Sequence, residues 1–396
     1  MDLLPSLAQR PPLPPIFAAL PTIILVVLCA SPPSRLLTLT LLPPLLWSAL
    51  WVPLAYTTGN VGGDFGLGSQ GIFYALTWLD RFVLTRDYER VYLRAGESAV
   101  PPPWTLARLG YAAKLCMSMR GAGWKWEARN TPPAPGVGRW VFVRSRLGRA
   151  AALYLAVDAL STYQQRQPYF HRQIQLGALS FEDILLNGAS AALIGGAAIA
   201  LLYNLLVVSC VSSGIWTPAE CPDLFGPVSQ ATTLGGFWGR TWCVSFVPPG
   251  AFAADPPCSN RHQSFRRVFT TPGLLLASAL SLPASSYSTK ILTTLTAFSL
   301  SAIQHAFGML AMARTGRGAA LFFLVQPMGL LLEDLVVRGA KAVGVGKDPR
   351  SWRTFGFAWT ATWLLATSPP FFDELVQVST ESHLDHVNDL TDPNSP

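Results

Sequence analysis

A single histidine, His305, lies in the middle of an apolar stretch that is long enough to cross most of a lipid bilayer. The stretch extends from Thr293 to Met312 between the cations Lys290 and Arg314, and His305 is its only ionisable residue. At about 1.5 Å per residue, a helix of this length covers most of the ~30 Å hydrocarbon layer. Because an ionisable side chain is costly in that layer, we expect His305 to have a function.

The residue type indicates which chemistry His305 can do. Neutral imidazole can accept a proton near physiological pH, as a general base must. In a helix its neighbours are Ser301 at i−4 and Gly308 at i+3, two small residues that leave room for a ligand. The alternative is that the imidazole only forms a hydrogen bond to a neighbouring helix, as polar residues in membrane bundles often do.

The six cysteines form no recognisable metal or disulfide pattern. They include no C-x-x-C pair and have no repeating spacing. Cys221, Cys243 and Cys258 share one region with His262, but their spacings are long and irregular for a zinc site. We therefore predict no disulfide framework, no metal and no bound cofactor.

The composition is that of an integral membrane protein. Of the 396 residues, 50% are hydrophobic and only 13% are charged, whereas soluble domains carry about 25% charged residues. The net charge of +7 comes from basic residues that lie between apolar segments, as in the cytosolic loops of membrane proteins. This distribution argues against nucleic-acid binding, while basic loops could receive an anionic cosubstrate.

We predict an all-α, polytopic membrane protein with about eight transmembrane helices. Prolines and polar segments separate the apolar segments, and residues 58–71 form a Gly-rich turn. The apolar segments are residues 16–30, 36–56, 72–84, 150–160, 184–211, 274–282, 293–312, 319–337 and 355–372. The basic residues of 338–353 do not fit a simple alternation of sides, which one half-helix or re-entrant segment would resolve.

These segments belong to one domain. We expect a Pro-rich N-terminus at 1–15, a single membrane-embedded domain at 16–372 and an acidic, disordered tail at 373–396. The domain would carry two large polar loops, at 85–148 and 212–271. No internal repeat is detectable in the sequence, which argues against a secondary transporter.

Four segments, in chain order, resemble the wax-synthase-like membrane-bound O-acyltransferases. They are R-G-A-G-W-K-W-E from Arg120 to Glu127, which resembles a motif of the fungal members; P-D-L-F-G from Pro222, continuing through F-W-G-R-T-W-C from Phe237 to Cys243; S-A-I-Q-H from Ser301 to His305; and F-F-L-V-Q-P-M-G-L-L-L-E-D from Phe322 to Asp334. Each motif is moderately specific alone, and the four together cover about residues 70–375.

The resemblance implies an acyl-CoA-dependent O-acyltransferase. Such an enzyme would sit in the endoplasmic reticulum or a related membrane and move a short acyl group, acetyl first of all, from acyl-CoA to a hydroxyl. Fungal relatives imply a lipophilic terpenoid, meroterpenoid or polyketide acceptor in secondary metabolism. The partners would therefore be a lipophilic alcohol, acyl-CoA and the lipid bilayer.

The resemblance also implies roles for individual residues. His305 corresponds to the family's catalytic histidine and would take the proton of the acceptor hydroxyl. Trp238, Arg240, Trp242 and Cys243 would bind the substrate or cosubstrate. Arg240 could pair with a CoA phosphate or, alternatively, form a salt bridge within its own loop.

One position departs from the family pattern. Where the family has a histidine after the second tryptophan, this chain has Cys243, and a thiol is a weak hydrogen-bond donor. The thiol could be tolerated at an orienting position, or it could carry an acyl thioester in a relay. Alternatively, the protein has left acyl transfer and acts as a terpenoid cyclase or isomerase, or as a non-catalytic membrane protein.

The acidic pair Glu333 and Asp334 ends an apolar segment. We interpret the pair as a membrane boundary, with a substrate site or a helix-pairing site as the alternative.

Overall fold

The computed structural model describes residues 9–85, 88–118, 121–127, 136–171, 179–242, 264–343 and 349–375. Ten long helices lie within these ranges. They are α1 (Pro15–Ala30), α2 (Arg35–Ala55), α3 (Val61–Trp78), α4 (Leu106–Met117), α5 (Arg139–Gln165), α6 (Phe181–Ser212), α7 (Ser264–Ala279), α8 (Tyr287–Ala313), α9 (Arg317–Ala342) and α10 (Pro349–Thr367). The described residues contain isolated β-bridges but no strand, so the all-α prediction is confirmed for them.

Four helices in the described part of the chain are long and apolar enough to cross a membrane. They are α2, α6, α8 and the portion Arg317–Ala340 of α9. Helix α1 and the segment Val268–Ala279 are apolar but shorter. Together with the composition these helices describe a membrane protein. The expected count of about eight spans is not confirmed, since four helices of the described residues meet the length and hydropathy of a span.

The chain between 58 and 84 differs from the expected turn followed by a short helix. Helix α3 already begins at Val61, because the side chain of Asn60 caps it by accepting a hydrogen bond from the backbone N–H of Gly63 at 3.0 Å. A π-helical turn, Leu79–Leu84, continues it. The glycines that favour a turn by propensity are therefore helical residues here.

Two of these glycines allow α3 to pack closely. A Cβ atom on Gly68 would lie 2.9 Å from the backbone oxygen of Phe307 in α8. A Cβ on Gly71 would collide with the backbone oxygen of Ala49 in α2. Small residues at such contacts are a general means of bringing membrane helices together. Gly68 thus allows the close approach of α3 to α8, which carries His305, and Gly71 allows the close approach of α3 to α2.

Helix α8 is the central element of the fold. Ser286 caps its first turn by accepting a hydrogen bond from the N–H of Thr289 at 3.1 Å, and the helix ends where Arg314 adopts a left-handed conformation with φ of 56°. Helices α3, α7 and α9 pack against α8, whereas α5 and α6 form a separate antiparallel pair. His305 therefore lies among packed helices.

Helices also occur within the two predicted polar loops and at the start of the predicted tail. The polar region 85–148 contains α4 and the start of α5, and the region 212–271 contains the start of α7. The first residues of the acidic tail are helical, and Glu374 accepts hydrogen bonds from the hydroxyl of Thr315 at 2.8 Å and the N–H of Ala319 at 3.2 Å. The remaining tail, 376–396, lies outside the described residues.

Candidate active site

The backbone of α8 fixes the orientation of the His305 ring. Its Nδ1 lies 2.9 Å from the carbonyl oxygen of Ser301, one turn earlier, and 3.4 Å from the hydroxyl oxygen of the same residue. A carbonyl oxygen can only accept, so Nδ1 must carry the hydrogen in this contact. In the neutral ring, Nε2 is then the atom with a free lone pair, and it points away from its own backbone.

An aromatic ring holds the other side of the imidazole. The ring of Phe323, in α9, stacks on that of His305 with centroids 4.0 Å apart and planes 27° apart. Phe65 of α3 lies at 6.2 Å. His305 is only partly buried between them, so a ligand can reach it.

The space next to Gly308 is filled by protein rather than open to a ligand. A Cβ on Gly308 would lie 2.9 Å from the backbone oxygen of Phe65 and would collide with the hydroxyl of Ser69. The expectation that Gly308 leaves room beside the imidazole is therefore wrong for this face, because α3 occupies it. Ser301 is likewise buried, and its role is the hydrogen bond to Nδ1.

The F-W-G-R-T-W motif forms a short helix, which we call the signature helix. It consists of an α-helical turn, Leu234–Gly236, and a π-helical turn, Phe237–Trp242. Thr233 caps its start by accepting a hydrogen bond from the N–H of Gly236 at 2.7 Å. The aromatic side chains of this helix, among them Trp238 and Trp242, pack against different neighbours.

Trp238 lies in the core, and Phe323 connects it to the histidine. It is 3% exposed and its ring lies 5.9 Å from that of Phe323, which in turn stacks on His305. The ring also packs edge-on against Phe298 of α8 at 5.6 Å. Its indole N–H has no hydrogen-bond partner among the described residues, and neither does the amide oxygen of the fully buried Gln326. Both atoms are available to a substrate or a water.

Trp242 and Arg240 lie on other sides of the signature helix. Trp242 is partly buried, stacks on Phe237 with centroids 5.9 Å apart, and lies against Gly196 of α6. Arg240 is exposed and forms no ion pair with any residue that the structure describes. The structure thus connects Trp238 to the histidine through Phe323, whereas Arg240 is exposed.

Cys243 follows the signature helix directly and lies outside the described residues, as do Cys258 and His262. The interpretations of Cys243 as an orienting group or as a changed reactive group therefore stay predictions. Within the described ranges, no group of three or more His, Cys, Asp or Glu residues could hold a metal ion.

The structure reveals a partner of the signature helix that sequence reasoning missed. The buried carboxylate of Glu333, in α9, accepts hydrogen bonds from the N–H groups of Leu234 at 2.7 Å and Gly235 at 3.4 Å, and from the indole N–H of Trp359 at 3.1 Å. An anion at a helix N-terminus is favourable because the free N–H groups and the helix dipole point towards it. Glu333 thus anchors the signature helix to α9.

Its neighbour Asp334 has a different role. Its carboxylate pairs with Lys290 of α8 at 3.0 Å and with Arg338 of its own helix at 2.9 Å. The acidic pair therefore joins α9 to α8 and to the signature helix, and the interpretation as a membrane boundary stays a prediction. The sequence shows that two acidic residues follow an apolar run, but it does not show which residues they contact.

Comparison with known proteins shows which proteins the chain is similar to. Residues 259–325 match the model of the membrane bound O-acyl transferase family, and this range contains α7, α8 and the first turns of α9 with Phe323. The chain is 27% identical to acetyltransferase ple2 of Rhodocybe pseudopiperita over 90% of each chain. It is 26% identical to acetyltransferase eriL of Hericium erinaceus over 86% of this chain and 85% of the relative. The chain is an O-acyltransferase related to these proteins.

A further relative, acetyltransferase pyr8 of Aspergillus fumigatus, is 28% identical over 87% of this chain and 82% of its own length. No solved structure matches the chain. The resemblance inferred from the four motifs is thereby confirmed. An O-acyltransferase has an acyl donor, an acyl acceptor and, in this family, a membrane environment. The match supports acyl transfer over the alternative that the protein has left this chemistry.

Proposed function

We propose that this O-acyltransferase moves an acetyl group from acetyl-CoA to a hydroxyl of a lipophilic terpenoid, meroterpenoid or polyketide intermediate of secondary metabolism. The relatives that match most of the chain are named acetyltransferases, which supports acetyl as the acyl group. A partly buried imidazole in a membrane helix supports a lipophilic acceptor, since such a molecule reaches the site through the bilayer. The hydrogen bond between His305 Nδ1 and the Ser301 carbonyl is the observation that carries the mechanism.

This hydrogen bond leaves His305 Nε2 as the general base. The acceptor hydroxyl gives its proton to Nε2 while its oxygen forms a bond to the thioester carbonyl carbon. The tetrahedral intermediate then breaks its carbon–sulfur bond, and the departing CoA sulfur takes the proton from the imidazolium. The ester and free CoA are the products, and the imidazole returns to its neutral form.

Two neighbouring groups support this role. Phe323 stacks on the ring and limits its rotation, so that Nε2 keeps one direction. The indole N–H of Trp238 lacks a partner among the described residues and could donate to an oxygen of the bound thioester or alcohol. Cys243, which follows the signature helix, would stand at an orienting position that tolerates a thiol.

We further propose a multi-pass protein of the endoplasmic reticulum. Four candidate spans and the basic regions between apolar segments support several crossings. In that arrangement the water-soluble donor arrives from the cytosolic side, and the lipophilic acceptor arrives from the bilayer.

The test is acetyl transfer by microsomes that contain the full chain. Microsomes from a heterologous host would be incubated with radiolabelled acetyl-CoA and a panel of hydroxylated terpenoids, meroterpenoids and polyketides. We expect label in the ester of at least one acceptor and none with microsomes from the host alone. A longer acyl-CoA as the preferred donor would overturn the acetyl assignment. Transfer to water-soluble alcohols only would overturn the lipophilic acceptor.

A further inference from the structure

Two of the six cysteines meet in the folded chain beside a buried arginine. Cys29 is the next-to-last residue of α1, Cys116 is the next-to-last residue of α4, and both are free thiols. One guanidinium nitrogen of Arg81, Nη1, lies 3.4 Å from the sulfur of Cys116 and 3.9 Å from the sulfur of Cys29. The two thiols also form a hydrogen bond with each other. The spacing of the cysteines does not predict this pair, and the acyl-transfer mechanism does not use it.

Hydrogen bonds hold the two helix ends together. The carbonyl oxygen of Cys29 accepts from Nε of Arg108 in α4 at 2.7 Å and from the hydroxyl of Tyr88 at 3.1 Å. The N–H of Trp104, just before α4, donates to the carbonyl oxygen of Ala30 at 3.1 Å. A disulfide forms without backbone movement only between cysteines that are already close. The anchored helix ends supply this proximity.

Arg81 gives the cysteine pair a positive neighbour. It follows α3, is only 4% exposed, and its Nη2 donates to the carbonyl oxygen of Leu115 at 3.3 Å. A cation next to a cysteine favours the thiolate over the thiol. The hydrogen bond from the Cys29 thiol and the charge of Arg81 lower the pKa of Cys116, although burial alone would raise it. Cys116 is therefore the nucleophile of the pair.

The two sulfurs differ in access as well as in charge. Cys29 is fully buried, whereas Cys116 is only partly buried. A small reagent can thus reach Cys116 but not Cys29. In thiol–disulfide exchange, the accessible thiolate reacts first and a second thiol behind it displaces the reagent. The arrangement of Cys116 in front of Cys29 has this order built in.

We propose that Cys29 and Cys116 form a reversible disulfide, with a low-molecular-weight disulfide such as oxidised glutathione as the oxidant. The sulfur of Cys116 attacks one sulfur of the oxidant, whose S–S bond breaks, and one glutathione thiolate leaves. Cys29 gives its proton to a departing glutathione thiolate, and its sulfur then displaces the second glutathione from Cys116. Two electrons pass from the protein to the oxidant, and two glutathione molecules are released.

The disulfide changes the protein in two ways. It joins α1 to α4 covalently, which restricts the unfolded chain and stabilises the folded one. It also removes the thiolate that lies beside Arg81. The balance of oxidised and reduced glutathione then decides which form is present. Since neither sulfur belongs to the histidine site, the proposal does not depend on the proposed acyl transfer.

The test is a disulfide map of the purified full chain in detergent, after equilibration with glutathione buffers of graded oxidised-to-reduced ratio. Samples are quenched with acid, alkylated and digested, and the peptides are analysed by mass spectrometry without reduction. We expect a peptide pair joined through Cys29 and Cys116, which increases with the ratio and disappears with dithiothreitol. The matched control in the same chain is Cys210 and Cys221, which should stay thiols because both are buried, with exposures of 4% and 0%.

Stability gives a second readout of the disulfide. Oxidised wild type should melt several degrees higher than reduced wild type, and the difference should vanish in Cys29→Ser. A chain in which Cys29 and Cys116 remain thiols at every glutathione ratio would overturn the proposal. Oxidation of Cys210 and Cys221 to the same extent would also overturn it, because the reaction would then not be selective for this pair.

Serine variants test the order of the two steps. Cys29→Ser should accumulate a glutathione adduct on Cys116, because the second thiol is missing, whereas Cys116→Ser should leave Cys29 unmodified. In the Cys29→Ser background, Arg81→Gln should slow formation of the adduct several-fold, since less of Cys116 is thiolate. An adduct on Cys29 in Cys116→Ser would contradict the assigned order. If Arg81→Gln does not fold, the two serine variants still decide the proposal.

Discussion

The ring of Phe323 stacks on the ring of His305 with centroids 4.0 Å apart, and the two residues come from different helices. The contact joins α9, which carries Phe323, to α8, which carries the histidine. Phe323 also packs against Trp238 of the signature helix, with centroids 5.9 Å apart. The orientation of the imidazole therefore depends on the packing of three elements.

Removing this stack should impair catalysis more than binding. We expect Phe323→Ala to lower kcat by about 10- to 100-fold, because the imidazole gains rotational freedom and Nε2 loses its direction. KM for acetyl-CoA should change little. The control is Leu324→Ala, since Leu324 lies on the exposed side of the same helix. Equal kcat in wild type and Phe323→Ala would show that the stack does not orient the histidine.

Removing the anchor of the signature helix should destabilise the protein. In Glu333→Ala the N–H groups of Leu234 and Gly235 and the indole N–H of Trp359 lose their common acceptor. The cost of leaving such buried donors unpaired should be on the order of 3 kcal/mol. Thermal denaturation in detergent would show a melting temperature that is several degrees lower than in wild type.

Glu333→Gln separates charge from shape at the same position. The amide oxygen can accept one of the three hydrogen bonds, but the amide nitrogen is a donor that faces other donors. We expect a melting temperature between those of wild type and Glu333→Ala. If Glu333→Gln matches wild type in stability and in acetyl transfer, the charge at the helix N-terminus is unimportant.

The close contact of α3 and α8 should not tolerate a methyl group. In Gly308→Ala the new Cβ would collide with the hydroxyl of Ser69 and lie 2.9 Å from the Phe65 oxygen. We expect a loss of about 1–3 kcal/mol of stability, as in other overpacked sites, together with reduced acetyl transfer. Gly195→Ala in α6 is the matched control, since no atom lies within 4 Å of its Cβ position. A stable and active Gly308→Ala variant would contradict this packing.

The protein should lose stability at acidic pH, because Glu220 pairs with Arg94 at 2.5 Å and with Lys114 at 3.5 Å. Burial alone would raise the pKa of Glu220, but the N–H and hydroxyl of Thr217 and the charges of Lys114 and Arg94 outweigh it and lower the pKa. A carboxyl with a lowered folded-state pKa contributes stability that is present above its unfolded pKa of about 4.3 and is lost as the pH falls through the folded-state pKa.

The measurement compares melting temperatures of wild type and Glu220→Gln between pH 7 and pH 3. We expect wild type to be more stable at pH 7 and the difference to shrink below about pH 4.3, where the carboxyl of the unfolded chain begins to take up a proton. A difference that stays constant down to pH 3 would mean that Glu220 contributes no charge-dependent stability.

Local patterns were sufficient to predict the helices whose apolar residues are continuous. The apolar segment 184–211 lies within the helix Phe181–Ser212, and the segment 293–312 lies within the helix Tyr287–Ala313. The prediction of a turn at residues 58–71 is wrong, because it relies on the low helix propensity of glycine. In the structure Gly68 and Gly71 are helical and allow α3 to pack closely against α8 and α2.

The site could be predicted only in part, for a related reason. His305 was identifiable because one ionisable residue in an apolar stretch is a local signal. The anchor between Glu333 and Leu234 joins residues 99 positions apart, and it depends on how α9 meets the signature helix. The expected contact of Arg240 with the site is also non-local, and the side chain is exposed in the structure.

The most direct test of the mechanism is the acetyl-transfer rate of His305→Ala in microsomes, with the acceptor that wild type uses. A missing general base should lower kcat by about 10²- to 10⁴-fold. The matched control is Ile303→Ala, because Ile303 lies on the exposed face of the same helix and should leave the rate near that of wild type. If His305→Ala is present at wild-type level, binds CoA and still transfers acetyl at the wild-type rate, His305 is not the base.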